Sequence, residues 1–176
     1  MNEVTIRSKR VAPIIASIVG VLLLGFLWVL ITANPNTTDD ADSPLLGQPA
    51  PAVVTTTLND EEFVLSRRKG SWVVFNFFNS TCVPCVAEHP ELVAFSEREQ
   101  AAANPAEMYT VINDDNDASV RAFFEKNGGD WQKIRDADGA ISVAFGVAKV
   151  PETWIIDPNG YVRRIAGQLS PGLLDE

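Results

Sequence analysis

The seven residues from Trp72 to Phe78 (W-V-V-F-N-F-F) constrain what this chain can fold into more than any others. They are almost continuously apolar, aromatic and β-branched, as a strand covered on both faces of its sheet requires. The segment S-T-C-V-P-C follows, carrying the only two cysteines of the 176-residue chain, Cys82 and Cys85. From Ala87 to Ala103 the composition is helical, with Leu92, Phe95 and Ala102 able to share a face and Pro90 expected to kink the helix.

The remaining elements fall around that strand. Val53–Leu58 and Glu62–Leu65 read as short strands joined through Asn59-Asp60. Met108–Ile112 predicts a strand, and Ala118–Lys126 a helix ended by Gly128-Gly129. Ile141–Phe145 predicts a short helix. Thr153–Asp157 and Tyr161–Ile165 form a hairpin over Pro158-Asn159-Gly160. After the first hairpin the order is β-α-β-α-α-β-β. That order implies an α/β class with a mixed sheet and helices on both faces.

Two cysteines three positions apart close too small a loop to stabilise a fold much. A four-ligand zinc site needs two more ligands, and His89 is the only histidine. Redox chemistry is the reading that remains for C-x-x-C. At the end of a strand and the start of a helix, Cys82 would lie near unsatisfied backbone N–H groups and the positive end of the helix dipole, which favour a thiolate. Cys82 is therefore the expected nucleophile and Cys85 the resolving thiol, with Pro84 suited to the first turn.

Val11–Ile31 contains no charged residue and, as a helix, matches a hydrocarbon core of about 30 Å. Arg7, Lys9 and Arg10 precede it, while Asp39, Asp40 and Asp42 follow it, which places the N-terminus in the cytoplasm. A cleaved signal peptide would have a shorter apolar region and a small residue where Ile31 stands, so an uncleaved signal-anchor is expected. The organisation read from the sequence is thus residues 1–10 cytoplasmic, 11–32 transmembrane, 33–51 linker and 52–176 the extracytoplasmic domain.

The formal net charge is −9, and without Arg7, Lys9, Arg10 and Glu3 the rest holds 11 basic and 22 acidic residues. No nucleic-acid partner is expected. Asn36-Thr37-Thr38 and Asn79-Ser80-Thr81 match the glycosylation acceptor pattern, and a glycan on the second would block the cysteines. That argues for a bacterial cell rather than a eukaryotic secretory route.

F-N-F-F-N-S-T-C-V-P-C-V-A-E-H-P resembles the active-site segment of membrane-anchored thioredoxin-like proteins of the TlpA, ResA and CcmG (DsbE) type. F-G-V-A-K-V-P-E-T-W-I-I-D-P-N-G-Y-V is similar to their second conserved region. The resemblance implies a thioredoxin-like fold behind an N-terminal transmembrane helix, with an extra N-terminal hairpin and no cofactor or metal. It implies that Pro151, after Val150, is a cis-proline facing the redox pair, where the residues alone fit an ordinary trans turn. Glu88 matches the acid of C-x-x-C-x-x-E-x-P and Glu152 that of P-E-T. Each is either a proton relay or a solvated side chain. Asn76 stands where thioredoxins proper have a buried aspartate, and His89 reads as a surface or packing residue. Thr81 departs from the family's usual tryptophan, and the C-terminal element, ending Q-L-S-P-G-L-L-D-E, is short.

The function implied is reduction of apocytochrome c disulfides during cytochrome c maturation, with recharging by a membrane electron donor of the CcdA/DsbD type. The same fold can run the other way, as a DsbE/DsbF-like oxidase of exported proteins, because potential follows thiolate stabilisation and not the motif. A Sco-like copper chaperone would need C-x-x-x-C and a distant histidine, and a peroxidase fits the motif poorly.

Overall fold

The computed structural model describes residues 11–32, with side chains at 13–29, and residues 43–169. The chain divides into two compact units, with the helix α1 (Val11–Thr32) in the first and every strand in the second. Among the described residues no helix is long and apolar enough to cross a membrane, so the fold does not carry the transmembrane expectation. Arg7, Lys9, Arg10, Asp39, Asp40 and Asp42, which set its orientation, lie outside the described residues, as do Asn36 and positions 170–176 of the short C-terminal element.

In the second unit, β1 (Val54–Thr56) and β2 (Glu62–Val64) pair antiparallel as the expected hairpin, followed by a 3-10 turn at Leu65–Arg68. The five-stranded sheet contains β3 (Val73–Phe78), β4 (Glu107–Ile112), β5 (Gln132–Arg135), β6 (Glu152–Ile156) and β7 (Val162–Ala166), in the order β5-β4-β3-β6-β7. β3 lies at the centre, parallel to β4 and antiparallel to β6. The sheet is therefore mixed, and all six residues of β3 are buried.

The period of two along β3 divides its side chains between two cores. Val73, Phe75 and Phe77 join Phe63, Tyr109 and Trp154 on one face, where α4 (Ala140–Phe145) contributes Ile141 and Phe145. Val74 and Phe78 join Leu92 and Phe95 of α2 (Val83–Gln100) and Val120 and Phe124 of α3 (Asp117–Asn127) on the other. Asn76 shares this second face. It is a polar residue aimed at the helix that starts at the cysteines.

Several elements differ from the sequence reading. β5 lies where the sequence predicts no strand: Q-K-I-R has one apolar residue, Ile134, because an edge strand needs little apolar cover. Its Lys133 carbonyl accepts from the N–H of Leu58, so the first hairpin caps the exposed edge. α2 runs on through Pro90 without ending there. Ala102 lies beyond α2 and is exposed, so it does not share the buried face of Leu92 and Phe95. α3 ends at Gly128, whose φ of 80° is open to glycine at little steric cost.

Candidate redox site

Cys82 is the N-cap of α2, extended at φ −75° and ψ 109°, at the point where the buried strand β3 has given way to the helix. It is half-buried, whereas Cys85, one turn on, is wholly buried. The two form a disulfide with Cα atoms 5.2 Å apart. The backbone N–H of Cys85 donates to the sulfur of Cys82 at 3.2 Å. An N-cap takes hydrogen bonds from the unpaired N–H groups of the first turn, and here sulfur takes the place of the usual oxygen. That bond and the helix dipole both strengthen when the sulfur is a thiolate. Val83 and Pro84 occupy the first turn, both exposed, and the missing N–H of Pro84 costs nothing there.

Opposite the pair, the Val150–Pro151 peptide bond is cis, and the Val150 carbonyl oxygen lies 3.6 Å from the sulfur of Cys82. Pro151 is buried and Val150 half-buried. The carbonyl is placed to accept from a Cys82 thiol once the disulfide is opened.

The loop before Cys82 is held by a side chain that the sequence reading considered only as a glycan acceptor. The Asn79 Nδ2 donates to the carbonyls of Asn113, at 3.1 Å, and Asp114, at 2.7 Å. Its Oδ1 accepts from the N–H and the hydroxyl of Thr81, at 2.8 and 2.6 Å. The N–H of Ser80 donates to Asp115 at 2.6 Å, and that of Cys82 to the Asn79 carbonyl at 3.1 Å. The amide nitrogen of Asn79 is thus committed to two carbonyls. Thr81, where the resemblance leads one to expect tryptophan, turns its hydroxyl into this knot and puts no ring next to Cys82 in the chain. No local pattern marks Asn79 or Asp115 for this role, because the pairing links two loops far apart in sequence.

Glu88 lies on α2 three residues after Cys85 and is 1% exposed. Its Oε1 accepts from Asn76 Nδ2 at 2.9 Å, and its Oε2 from the N–H of Leu169 at 2.7 Å. Burial outweighs those two hydrogen bonds and pushes its carboxyl from 4.5 up to about 7. Asn76 Nδ2 also donates to the hydroxyl of Thr153 at 3.0 Å. Residues of β3, α2, β6 and the C-terminal segment thus meet around Glu88, one turn after Cys85. Thr153 and Leu169 carried no signal in the sequence, since neither residue type advertises chemistry.

Glu152 is half-buried next to Pro151 and accepts from the indole N–H of Trp154 at 2.6 Å. Burial raises its carboxyl, against the pull of Trp154 and Lys149. Its hydrogen bond commits it to the Trp154 side of the sheet. His89 is 3% exposed, donates from Nε2 to the Gly128 carbonyl at 3.1 Å, and packs against Phe123 and Phe124. Burial lowers its pKa, which suits a neutral packing residue. Among the described residues no three His, Cys, Asp or Glu side chains gather as metal ligands would.

The model of the AhpC/TSA family matches residues 46–165. The chain belongs to the AhpC/TSA family. It is 31% identical to the thiol:disulfide interchange protein DsbE of Pseudomonas aeruginosa, over 83% of this chain and 76% of that one. It is 29% identical to the thiol-disulfide oxidoreductase ResA of Geobacillus thermodenitrificans, over 89% and 88%. Among solved structures, the thioredoxin domain of a thiol-disulfide oxidoreductase from Bacteroides vulgatus superposes with a TM-score of 0.66 at 21% identity, covering 75% of this chain and 94% of that one. The fold is thioredoxin-like. With the Cys82–Cys85 pair at the start of α2, the chain is a protein thiol–disulfide oxidoreductase.

Proposed function

We propose that the chain is an extracytoplasmic reductant that opens the disulfide of apocytochrome c before haem attachment. It would be tethered by residues 11–32 as a single-pass signal-anchor with a cytoplasmic N-terminus, residues 33–51 serving as the linker. A membrane electron donor of the CcdA/DsbD type returns the pair to the dithiol.

The Cys82 thiolate attacks one sulfur of the substrate disulfide, giving a mixed disulfide and releasing one substrate thiolate. Cys85 then yields its proton to Glu88 and attacks the Cys82 sulfur, forming the Cys82–Cys85 disulfide and releasing the second substrate thiolate. Two electrons pass to the substrate, and its two thiolates take up two protons. Pro151 and Val150 bound the surface on which the substrate chain lies. Asn76 supports Glu88, while Thr81, Pro84 and Glu152 shape the rim around the pair.

The observation that carries this reading is the wholly buried Glu88 carboxyl one turn after Cys85 on α2, which burial raises to about 7 and so suits to accept and return a proton near neutrality. The resolving thiol is itself buried and has no solvent base at hand. Resemblance to DsbE and ResA supports the choice of substrate, and the apolar, charge-free run of residues 11–31 supports the anchor.

Deleting the gene should abolish haem-bearing cytochrome c, and added thiol should restore it; unaffected c-type cytochromes would refute the assignment. The reduction potential of Cys82–Cys85 decides direction. A value near about −270 mV fits a dedicated reductant, and one near about −120 mV makes the protein an oxidase.

A further inference from the structure

Asn76 is wholly buried, with its donor side used twice and its acceptor side not at all. Nδ2 donates to Glu88 Oε1 and to Thr153 Oγ1, while Oδ1 has no partner among the described residues. A buried polar oxygen left unpaired is uncommon and needs a cause.

A half-turn about the Cβ–Cγ bond exchanges the oxygen and nitrogen of an amide while leaving its shape unchanged. Oδ1 would then face Glu88 and Thr153. An ionised Glu88 has no hydrogen to offer and repels that oxygen. A protonated Glu88 has one O–H to donate, and the hydroxyl of Thr153 can accept in the first position and donate in the second.

We propose that Asn76 is a positioning residue with two settings, its Nδ2 donating to Glu88 as a carboxylate and its Oδ1 accepting from Glu88 as an acid, with Thr153 serving both. The unpaired oxygen is then the acceptor that the second setting uses. The buried acid can take the proton of Cys85 without losing its partner on β3, and returning the proton turns the amide back. No covalent bond changes in the turn.

The surroundings of Glu88 suit such a device. From β3 it faces Asn76, from β6 Thr153, and from the C-terminal segment the backbone of Leu169; none of these is charged. On its own helix lies Cys85, held in the disulfide, and its neighbour His89 is turned into Phe123 and Phe124. Among the described residues Glu88 is the one charged side chain hydrogen-bonded to the amide, and Thr153 the one neutral partner.

The inference deepens the proton-relay reading of Glu88, and its test uses no substrate, so a failed apocytochrome assignment leaves it standing. The oxidised full chain, in detergent and labelled with 15N-asparagine, is titrated across neutrality and followed by NMR. Cross-peaks between the Asn76 Nδ2 protons and the Thr153 methyl should be strong on the alkaline side and weak on the acid side, with the midpoint of the Glu88 carboxyl carbon. In Glu88→Gln, whose Oε1 takes the Leu169 N–H, the side-chain nitrogen faces Asn76 at every pH, so the cross-peaks should stay weak throughout. Cross-peaks of constant strength through the Glu88 titration, with or without a shift in frequency, would overturn the proposal, as would the same change in Glu88→Gln.

Discussion

Replacing Glu88 with glutamine removes a titration that the fold has made expensive. The carboxyl rises from 4.5 to about 7 because burial penalises its charge more than Asn76 and Leu169 stabilise it. The folded chain then holds this proton more tightly than the unfolded one, so stability falls as pH rises between those two values. Below 4.5 both states are protonated and the group contributes nothing; above about 7 the full penalty applies. At about 1.4 kcal/mol per pH unit, the penalty reaches about 3 kcal/mol. Glutamine carries no such proton. Urea unfolding of the oxidised full chain in detergent, at about pH 5 and about pH 8, should show wild type losing about 2–3 kcal/mol more than Glu88→Gln over that interval. Equal losses in the two proteins would mean that Glu88 is not buried as a costly charge, and the relay argument would fall with it.

Cys85→Ser should accumulate a mixed disulfide between Cys82 and substrate, visible by non-reducing mass analysis, whereas Cys82→Ser should trap none; the reverse pattern would exchange their roles. Phe75→Ala, at a wholly buried ring packed on Phe63, Tyr109 and Phe145, should cost about 3–5 kcal/mol by urea unfolding. Asp136 accepts from the N–H groups of Ile141 and Ser142 and the hydroxyl of Ser142 at the start of α4, so Asp136→Ala should destabilise by about 1–3 kcal/mol. A change within error would show that α4 does not depend on that cap.

Local chemistry made part of this protein readable from its residues alone. An almost continuously apolar run has one comfortable place in a sheet, and β3 takes it at the centre. A cysteine after such a strand and before a helix meets the N-terminal N–H groups of that helix whatever surrounds it, and Cys82 does so. The hairpin over Pro158-Asn159-Gly160 is likewise written in its turn residues. β5 was invisible because an edge strand pairs by its backbone, and its neighbours supply most of the apolar cover.

The state of Glu88 belonged to the tertiary structure. By residue type a glutamate three positions after a cysteine is as much at home in solvent as in a proton relay, and nothing local decides between them. Its burial depends on Asn76 and Thr153, brought beside it by the pairing of β3 with β6, and on a backbone N–H 81 residues further along the chain. Asn79 and Asp115 follow the same rule across two loops. Sequence alone determined which sulfurs carry the chemistry, because a nucleophile at a helix start is a matter of a few neighbouring residues. Only the fold decided which acid is buried on their helix, because the cost of burying a charge is set by every element that shuts out water, and those elements come from the whole length of the chain.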